Sequence, residues 1–536
     1  MTFTAESPHT TMPPAAARFV DIPELLVCLG EVIANRKLLL DLCFTNKSFN
    51  TAFTPFLYAE LWFNEGNAHI LLDQLEALLA NTALKHTKIL DFYLAPGRLQ
   101  REDKSDGELC QAFNEAIQAI LGKTPNLTGF SWDAQPLFAT TISALHSECP
   151  DLKSLSISHP VDIEKLRSTA FEYEDFDFED GLFELRPLFE TQDFSPFTNL
   201  TTLELHEIHG DLDQARRDIV KILLASPDLK TLSLSLNSDT VIRLDQEAQD
   251  IEEMGGYLDF LKTLIGEYVA AEGQTLHLRK LVLGLSIVLW EDDQQQPATY
   301  LDGLTNLSKL EEVYVCNNGV DTQLYFDDPD GIAWSTFTPE TCPNLNILGL
   351  HKFTNDVERW IQNIGPGYLS QLRVEETLGH DISEICAALE SNDEEASSKV
   401  RMLTLVDADA TLRGADGLVS LKIPSLQALS VTLPQLTSDS RPAVLTWISS
   451  WQSLQQLYLQ NVKVIVGEDT EYENLVKDIA AVTPHLRYLK LDGHSWRIWR
   501  DGDNGDKSQY SPEKLDKFEE RSVEAFKSQR SFHVSE

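Results

Sequence analysis

A Leu-x-x-Leu-x-Leu spacing recurs down most of the chain, two or three residues after a Pro or Asn in many copies. It runs Leu152/Leu155/Ile157, Leu200/Leu203/Leu205, Leu229/Leu232/Leu234, Leu278/Leu281/Leu283, Leu310/Val313/Val315 and Leu345/Leu348/Leu350. The pattern continues at Leu369/Leu372/Val374, Val400/Leu403/Leu405, Leu426/Leu429/Val431, Leu454/Leu457/Leu459 and Leu486/Leu489/Leu491. Side chains two apart share one face of an extended segment, so the alternating members point into a common core and the residues between them point out. Lead-ins such as Cys149-Pro150-Asp151-Leu152, Ser226-Pro227-Asp228-Leu229, Cys342-Pro343-Asn344-Leu345 and Thr483-Pro484-His485-Leu486 stop a preceding helix and extend the chain into the next strand.

Repeat starts fall roughly 24 to 35 residues apart with two longer gaps, against 20–29 for compact leucine-rich repeats. The spacing therefore predicts an α/β fold, an irregular leucine-rich-repeat solenoid with one strand and one helix per unit. Ala215 to Leu224 and Ile382 to Leu389 carry the helical spacing. The Asn that often follows the strand stands only at Asn237 and Asn318, which argues against a regular, sharply curved horseshoe. A solenoid grows by adding neighbours, so 536 residues do not require two large globules. In this register Leu348 and Leu350 are core positions, and Gly349 between them is an exposed site that tolerates change.

Charge narrows the partners. Lys and Arg total 43 against 84 Asp and Glu, a formal charge of −41, and phosphate binding needs clustered basic residues. Nucleic acid is excluded on that ground, and a basic protein partner is favoured. No stretch approaches the ~20 apolar residues of a membrane span. Met1 to Val20 lacks the basic start and apolar run of a signal peptide, so a cytoplasmic or nuclear location is expected. The sequons at Asn46, Asn126, Asn199 and Asn306 then read as turn residues. Seven cysteines have no zinc-type spacing, and Cys149 and Cys342, just ahead of repeat prolines, read as small buried side chains. No phosphate loop, nucleophile elbow or metalloprotease motif is present, and His206 with His209 reads as a pair of loop histidines. The expectation is a non-enzyme without cofactor or metal.

Residues Phe19 to Phe63 differ, with helical rather than strand periodicity. After Ile22-Pro23-Glu24, Leu25, Leu26, Leu29, Val32 and Ile33 fall on one helical face; Leu38, Leu39, Leu42 and Cys43 follow a polar break at Asn35-Arg36-Lys37. Phe49, Ala52 and Phe53 lead to Pro55 and then to Leu61-Trp62. About 45 residues of short helices need something to pack on, either the repeats or a partner. One reading is a helical cap covering the core that a first repeat would expose.

The same segment resembles the F-box, the helical module by which substrate receptors dock on the Skp-family adaptor of cullin-RING ubiquitin ligases. Ile22-Pro23-Glu24-Leu25-Leu26 matches its opening signature, Leu39 to Phe53 its central stretch, and Leu61-Trp62 its end. Phe49 takes the place of the usual Trp, and Asn35-Arg36-Lys37 stands where an Asp commonly opens the second helix. With repeats following, the whole is similar to divergent fungal F-box and leucine-rich-repeat receptors. The resemblance implies adaptor binding through Ile22, Pro23, Glu24, Leu25, Leu26, Leu29, Leu39, Leu42, Phe49, Leu61 and Trp62, and a protein substrate on the repeats.

The expected layout is an N-terminal stretch over 1–18, the module over 19–65, repeats over 66–500 with an acidic insertion near 160–195, and a polar tail over 501–536. In the insertion, Phe171 to Asp180 alternates aromatic and acidic residues; it reads as a solvated loop or as a docking loop for a basic, apolar groove. A terminal helix is expected from Pro512 to Phe526. Outward strand positions Glu204, His206, Tyr314, His351, Arg373, Tyr458 and Lys490 are the candidate substrate-binding residues, on the concave face where solenoids bind. Three readings remain open: a ubiquitin-ligase substrate receptor, an acidic repeat scaffold or inhibitor without ligase role, and a repeat-built GTPase activator.

Overall fold

Two asparagines and a proline organise the start of the chain. Helix α1 (Pro23–Val32) begins on a proline whose missing N–H would have no partner in a first turn, and whose fixed φ suits it. Helices α2 (Arg36–Thr45) and α3 (Lys47–Leu57) are each opened by an Asn side chain, Asn35 Oδ1 accepting from Leu38 N at 2.7 Å and Asn46 Oδ1 from Phe49 N at 2.9 Å. The polar break read between the first two helices is thus a cap. Strand β1 (Glu60–Glu65) follows, then α4 (Ala68–Leu78), β2 (Ile89–Leu94), α5 (Asp106–Leu121), β3 (Gly129–Asp133), α6 (Ala139–Glu148) and β4 (Ser154–Ser158).

The structure, a computed structural model, describes residues 22–33, 35–65, 67–94, 106–133, 137–158, 194, 196–208, 212–236, 259–284, 287–289, 297–316, 332–365, 367–376, 385, 388–389, 399–407, 423, 425–432, 441–460, 469–500, 510–515, 520 and 523. The acidic aromatic stretch Phe171 to Asp180, Asn237, Asn318, His209 and most of the expected helix from Ile382 lie outside them. The chain divides into two units, Met1–Ser131 with Ser147–Leu152, and Trp132–His146 with Lys153–Glu536.

In the first unit β1 pairs in parallel with β2, Leu61 beside Leu90 and Phe63 beside Phe92. Glu60–Glu65 is therefore sheet, and the helical segment ends at Leu57 rather than running through Phe63. Phe63 stacks on Phe92 at 5.1 Å, and Phe92 meets Phe130 at 6.3 Å, so aromatic rings take the place that later copies give to aliphatic side chains.

The second unit continues from β4 with β5 (Thr202–Ile208), α7 (Leu212–Leu224), β6 (Thr231–Leu236), α8 (Phe260–Ala270), β7 (Lys280–Leu283), β8 (Glu312–Val315), β9 (Ile347–Lys352), α9 (Asn355–Ile364), β10 (Gln371–Glu376) and β11 (Met402–Asp407). It ends with β12 (Ala428–Thr432), α10 (Arg441–Ser449), β13 (Gln456–Gln460), α11 (Asp469–Val482), β14 (Tyr488–Leu491), β15 (His494–Arg500) and β16 (Tyr510–Lys514). Strands β4 to β14 pair in parallel in sequence order, and β15 and β16 close the run in antiparallel. The expected helix from Pro512 is thus strand as far as Lys514, because Trp496 to Arg500 offer that segment a pairing edge.

All three apolar members of every copy named above are buried, none above 4% exposed. Between successive copies within the second unit the main chain repeats one device. The carbonyl just ahead of a strand accepts two consecutive N–H groups from the next copy: Thr201 O from Lys230 and Thr231, Lys230 O from Arg279 and Lys280, and so on to Gln455 O from Arg487 and Tyr488. Ahead of it the Pro turns close as expected, Leu229 N donating to Ser226 O and Leu345 N to Cys342 O. The main chain thereby pairs these groups, while a few buried N–H groups use a side chain, Leu200 N donating to Ser226 Oγ and Leu278 N to Thr305 Oγ1.

In two crossings the described residues form short 3-10 turns rather than an α-helix. Among the described residues, β7 to β8 is crossed by short 3-10 turns at Thr299–Gly303 and Leu307–Lys309, and β8 to β9 by Trp334–Thr336. Gly349 is also not the exposed site that alternation implies. It is buried, and a Cβ there would lie 2.1 Å from Cδ1 of Tyr314, so its bare backbone is what lets that ring lie across the neighbouring strand.

Candidate functional site

Two surfaces carry the residues singled out above, one in each unit. In the first, the core of the helical module is Leu26, Leu39, Cys43, Phe53 and Leu57, with Leu29, Leu42, Phe49 and Phe56 packed on it. Helix α1 approaches α3 so closely that a Cβ on Gly30 would lie 2.5 Å from the Phe56 ring. Arg36 ties the module to the start of β1, donating to Glu60 O at 3.2 Å; burial holds its pKa below the usual arginine value, against the raising effect of Tyr58 and Glu60.

That packing divides the adaptor candidates. Leu26, Leu39 and Leu61 are buried, Leu29, Leu42, Phe49 and Trp62 are half-buried, and Ile22, Pro23, Glu24 and Leu25 face water. The buried ones hold the module together and leave contact with another molecule to the rest. Val32 and Leu38, which periodicity placed on the helical faces, are also exposed, and so are three apolar side chains that it did not single out: Val27, Leu40 and Phe44, the last 80% exposed. Ile22, Leu25 and Val32 follow the i, i+3, i+10 line of one helical stripe, and Leu40 and Phe44 are one turn apart on α2. The signal available in the sequence was an apolar set wider than one face of each helix.

In the second unit, five of the substrate candidates share a single register line across the sheet. It runs Glu204, Ser233, Val282, Tyr314, Gly349, Arg373, Thr404, Ser430, Tyr458, Lys490. Strands lie ~4.8 Å apart, so Tyr314 and Tyr458, five strands apart, are roughly 24 Å from each other. They are two separate anchors.

Around the first, Lys280 Nζ stands 5.0 Å from the Tyr314 ring centre, Arg373 donates to Glu375 at 3.3 Å, and His351 Nδ1 lies 3.2 Å from the other oxygen of Glu375. Burial lowers the Arg373 pKa, and Glu375 and Tyr314 pull it back. Around the second, Lys490 Nζ stands 4.4 Å from the Tyr458 ring centre and pairs with Glu520. Burial first, then Glu520 and Asp492, push the Tyr458 hydroxyl up to about 12.

Outward did not mean exposed. His206, His351 and Lys490 are each under 8% exposed, and the Arg373 side chain is 12% exposed. His206 is in strand β5, not a loop, its Nδ1 3.5 Å from Ser235 Oγ. That hydroxyl also accepts the Glu207 N–H, where a positive φ of 58° bulges the strand. Only Glu204, Tyr314 and Tyr458 keep intermediate exposure as residues outside the ion-paired set. Among the described residues, no His, Cys, Asp and Glu cluster could hold a metal ion, and no helix is long and apolar enough to cross a membrane.

No family model matches the chain, and no curated protein matches it. Among solved structures 50 chains match. One is TLR13 in its complex with ssRNA13, 14% identical with a TM-score of 0.24, the match covering 81% of this chain and 58% of that one. This chain thus spans less than two thirds of that structure's length, and at that score the likeness supports no statement about fold or function here.

Proposed function

We propose that the chain is a non-catalytic substrate receptor that docks on a Skp-family adaptor through α1 and α2 and holds a protein on the outward face of its repeats. One observation carries the reading. The module buries its own core yet leaves Ile22, Leu25, Val27, Val32, Leu38, Leu40 and Phe44 between 39% and 80% exposed. A helical cap serves by burying its apolar side chains against the array, whereas a docking module keeps some for a partner. The F-box resemblance of Ile22 to Leu26 gives that partner its class. Bound to the adaptor of a cullin-RING ligase, the receptor would act by proximity, raising the effective concentration of a target lysine near the charged ubiquitin carrier.

The test is reconstitution. Co-expressed with a Skp-family adaptor, the chain is expected to elute with it as one complex in size-exclusion chromatography. Separate elution of two well-folded proteins would remove the ligase reading and leave a repeat scaffold.

A further inference from the structure

Leu61 and Trp62 end the segment that resembles the docking module, yet both stand in the first strand of the sheet. Leu61, 4% exposed, and its partner Leu90, 0% exposed, point into the core, so the pleat turns Trp62 to the outward face. The outward positions of β1 and β2 then pair as Glu60 with Ile89, Trp62 with Asp91 and Asn64 with Tyr93, all within the first unit. On the outward face of the second unit His206, His351, Arg373 and Lys490 are sunk among partners of their own. On β1 and β2, by contrast, Ile89 is 40% exposed, Glu60 is exposed, and Trp62, Asp91 and Tyr93 are half-buried.

Of these six outward positions two are carboxylates, three are apolar or aromatic, and none is Lys or Arg. Arg36 stands at the start of the ribbon on Glu60 O, and Lys88 precedes β2, so Asp91 is the carboxylate in register with the indole. Neighbouring strands lie ~5 Å apart, a spacing that one Lys or Arg side chain can use twice. Its cationic head rests on the ring face, within about 6 Å of the centroid, while the carboxylate beside the ring supplies the counter-charge. Ile89 and Tyr93 flank Asp91 along β2, each ~7 Å away, and offer apolar contacts on both sides of that point. A Trp among apolar neighbours is the kind of side chain that anchors a protein interface.

We propose that β1 and β2 carry a docking surface centred on Trp62 and Asp91, and that its partner is a protein segment with a Lys or Arg next to aliphatic residues. Trp62 is then an anchor on the repeat face and not an adaptor contact. This rests on the outward sheet face being the protein-binding surface, and not on adaptor docking. Charge decides the occupant. An acidic segment would meet Glu60 and Asp91 on a chain of formal charge −41, and a purely apolar one would cover both carboxylates while bringing no counter-charge.

The test selects peptides from a random nine-residue phage library on the immobilised full chain and measures synthetic copies by fluorescence anisotropy. Peptides that bind the parent and are lost on Trp62→Ala should carry Lys or Arg beside Leu, Ile or Val. They should bind Trp62→Ala and Asp91→Lys at least ~10-fold more weakly than the parent, and exchanging their basic residue for Glu should restore part of the binding to Asp91→Lys. Ile89→Lys, a change at an exposed position, should also weaken them and keeps the test decisive where a Trp62 variant fails to fold. Recovery of no peptide sensitive to these changes, or of acidic peptides in their place, would overturn the proposal. Adaptor binding by folded Trp62→Ala should equal that of the parent, and a loss there would make Trp62 an adaptor contact and overturn it too. A parent that binds no adaptor but selects the basic peptides would strike the ligase reading alone, so the two failures are told apart.

Discussion

Replacing Gly349 by Ala tests how the outward face is built. The added Cβ would sit 2.1 Å from Cδ1 and 2.7 Å from Cε1 of Tyr314, whereas ordinary contact begins at 3.4 Å, so the ring must give by roughly 1.3 Å. It has little room, because Lys280 stands over it and Arg373 occupies the next strand of the same register line. Overpacking of this kind costs ~1–3 kcal/mol, and the lost freedom of the unfolded glycine returns ~0.4–1 kcal/mol. The expected net loss is about 1–2 kcal/mol. With Tyr314→Ala present the clash is gone, and Gly349→Ala should be neutral or slightly stabilising, giving a coupling of about 1–3 kcal/mol in a double-mutant cycle. Equilibrium urea unfolding, followed by circular dichroism and tryptophan fluorescence with coincident curves, supplies the four free energies. Additive effects, or a Gly349→Ala chain as stable as the parent, would refute the close approach.

Leu348→Ala and Leu350→Ala, each truncating a side chain 0% exposed, should cost ~2–5 kcal/mol apiece in the same assay, and a loss under ~1 kcal/mol would put the strand register wrong. Thiol labelling at pH 8 should reach the exposed Cys28 in the native chain but not Cys149 or Cys342, which burial pushes up to about 12 and about 11. Labelling of the two at the rate of free cysteine would contradict their burial. For such raised values the unfolded thiol ionises first, so the stability they contribute is intact below pH ~9 and is lost as pH climbs through the folded values. The urea midpoint should fall over that alkaline window, and less so in Cys149→Ala/Cys342→Ala.

The strand register of the second unit was legible because a period of two is a local signal that each copy repeats, several of them with a Pro turn ahead of it. Strands β1 and β2 were harder. They carry Phe63 and Phe92 where the later copies have Leu, Ile or Val, and the alternation Leu90, Phe92, Leu94 after Thr87-Lys88 was the clue available. The module's helices could be read from spacing, but the choice between Leu25 and Leu26 could not, since it depends on which stripe meets α3. Exposure on the outward face was the least legible property. His206 and Lys490 alternate as solvent positions should, and yet Ser235 meets the one and Glu520 covers the other. Such cover comes from residues 29 or more positions away, beyond any local period.

Docking by the helical module is most directly tested by titrating the full chain with a purified Skp-family adaptor in a calorimeter. Changing the exposed pair, Ile22→Asp/Leu25→Asp, spares the module's core, whereas any change that includes Leu26 would also unfold it. The parent chain is predicted to bind one adaptor per chain. The variant, with its circular dichroism unchanged, should bind at least ~100-fold more weakly because it forces two carboxylates into an apolar contact. No binding by the parent, or equal binding by the variant, would contradict the account.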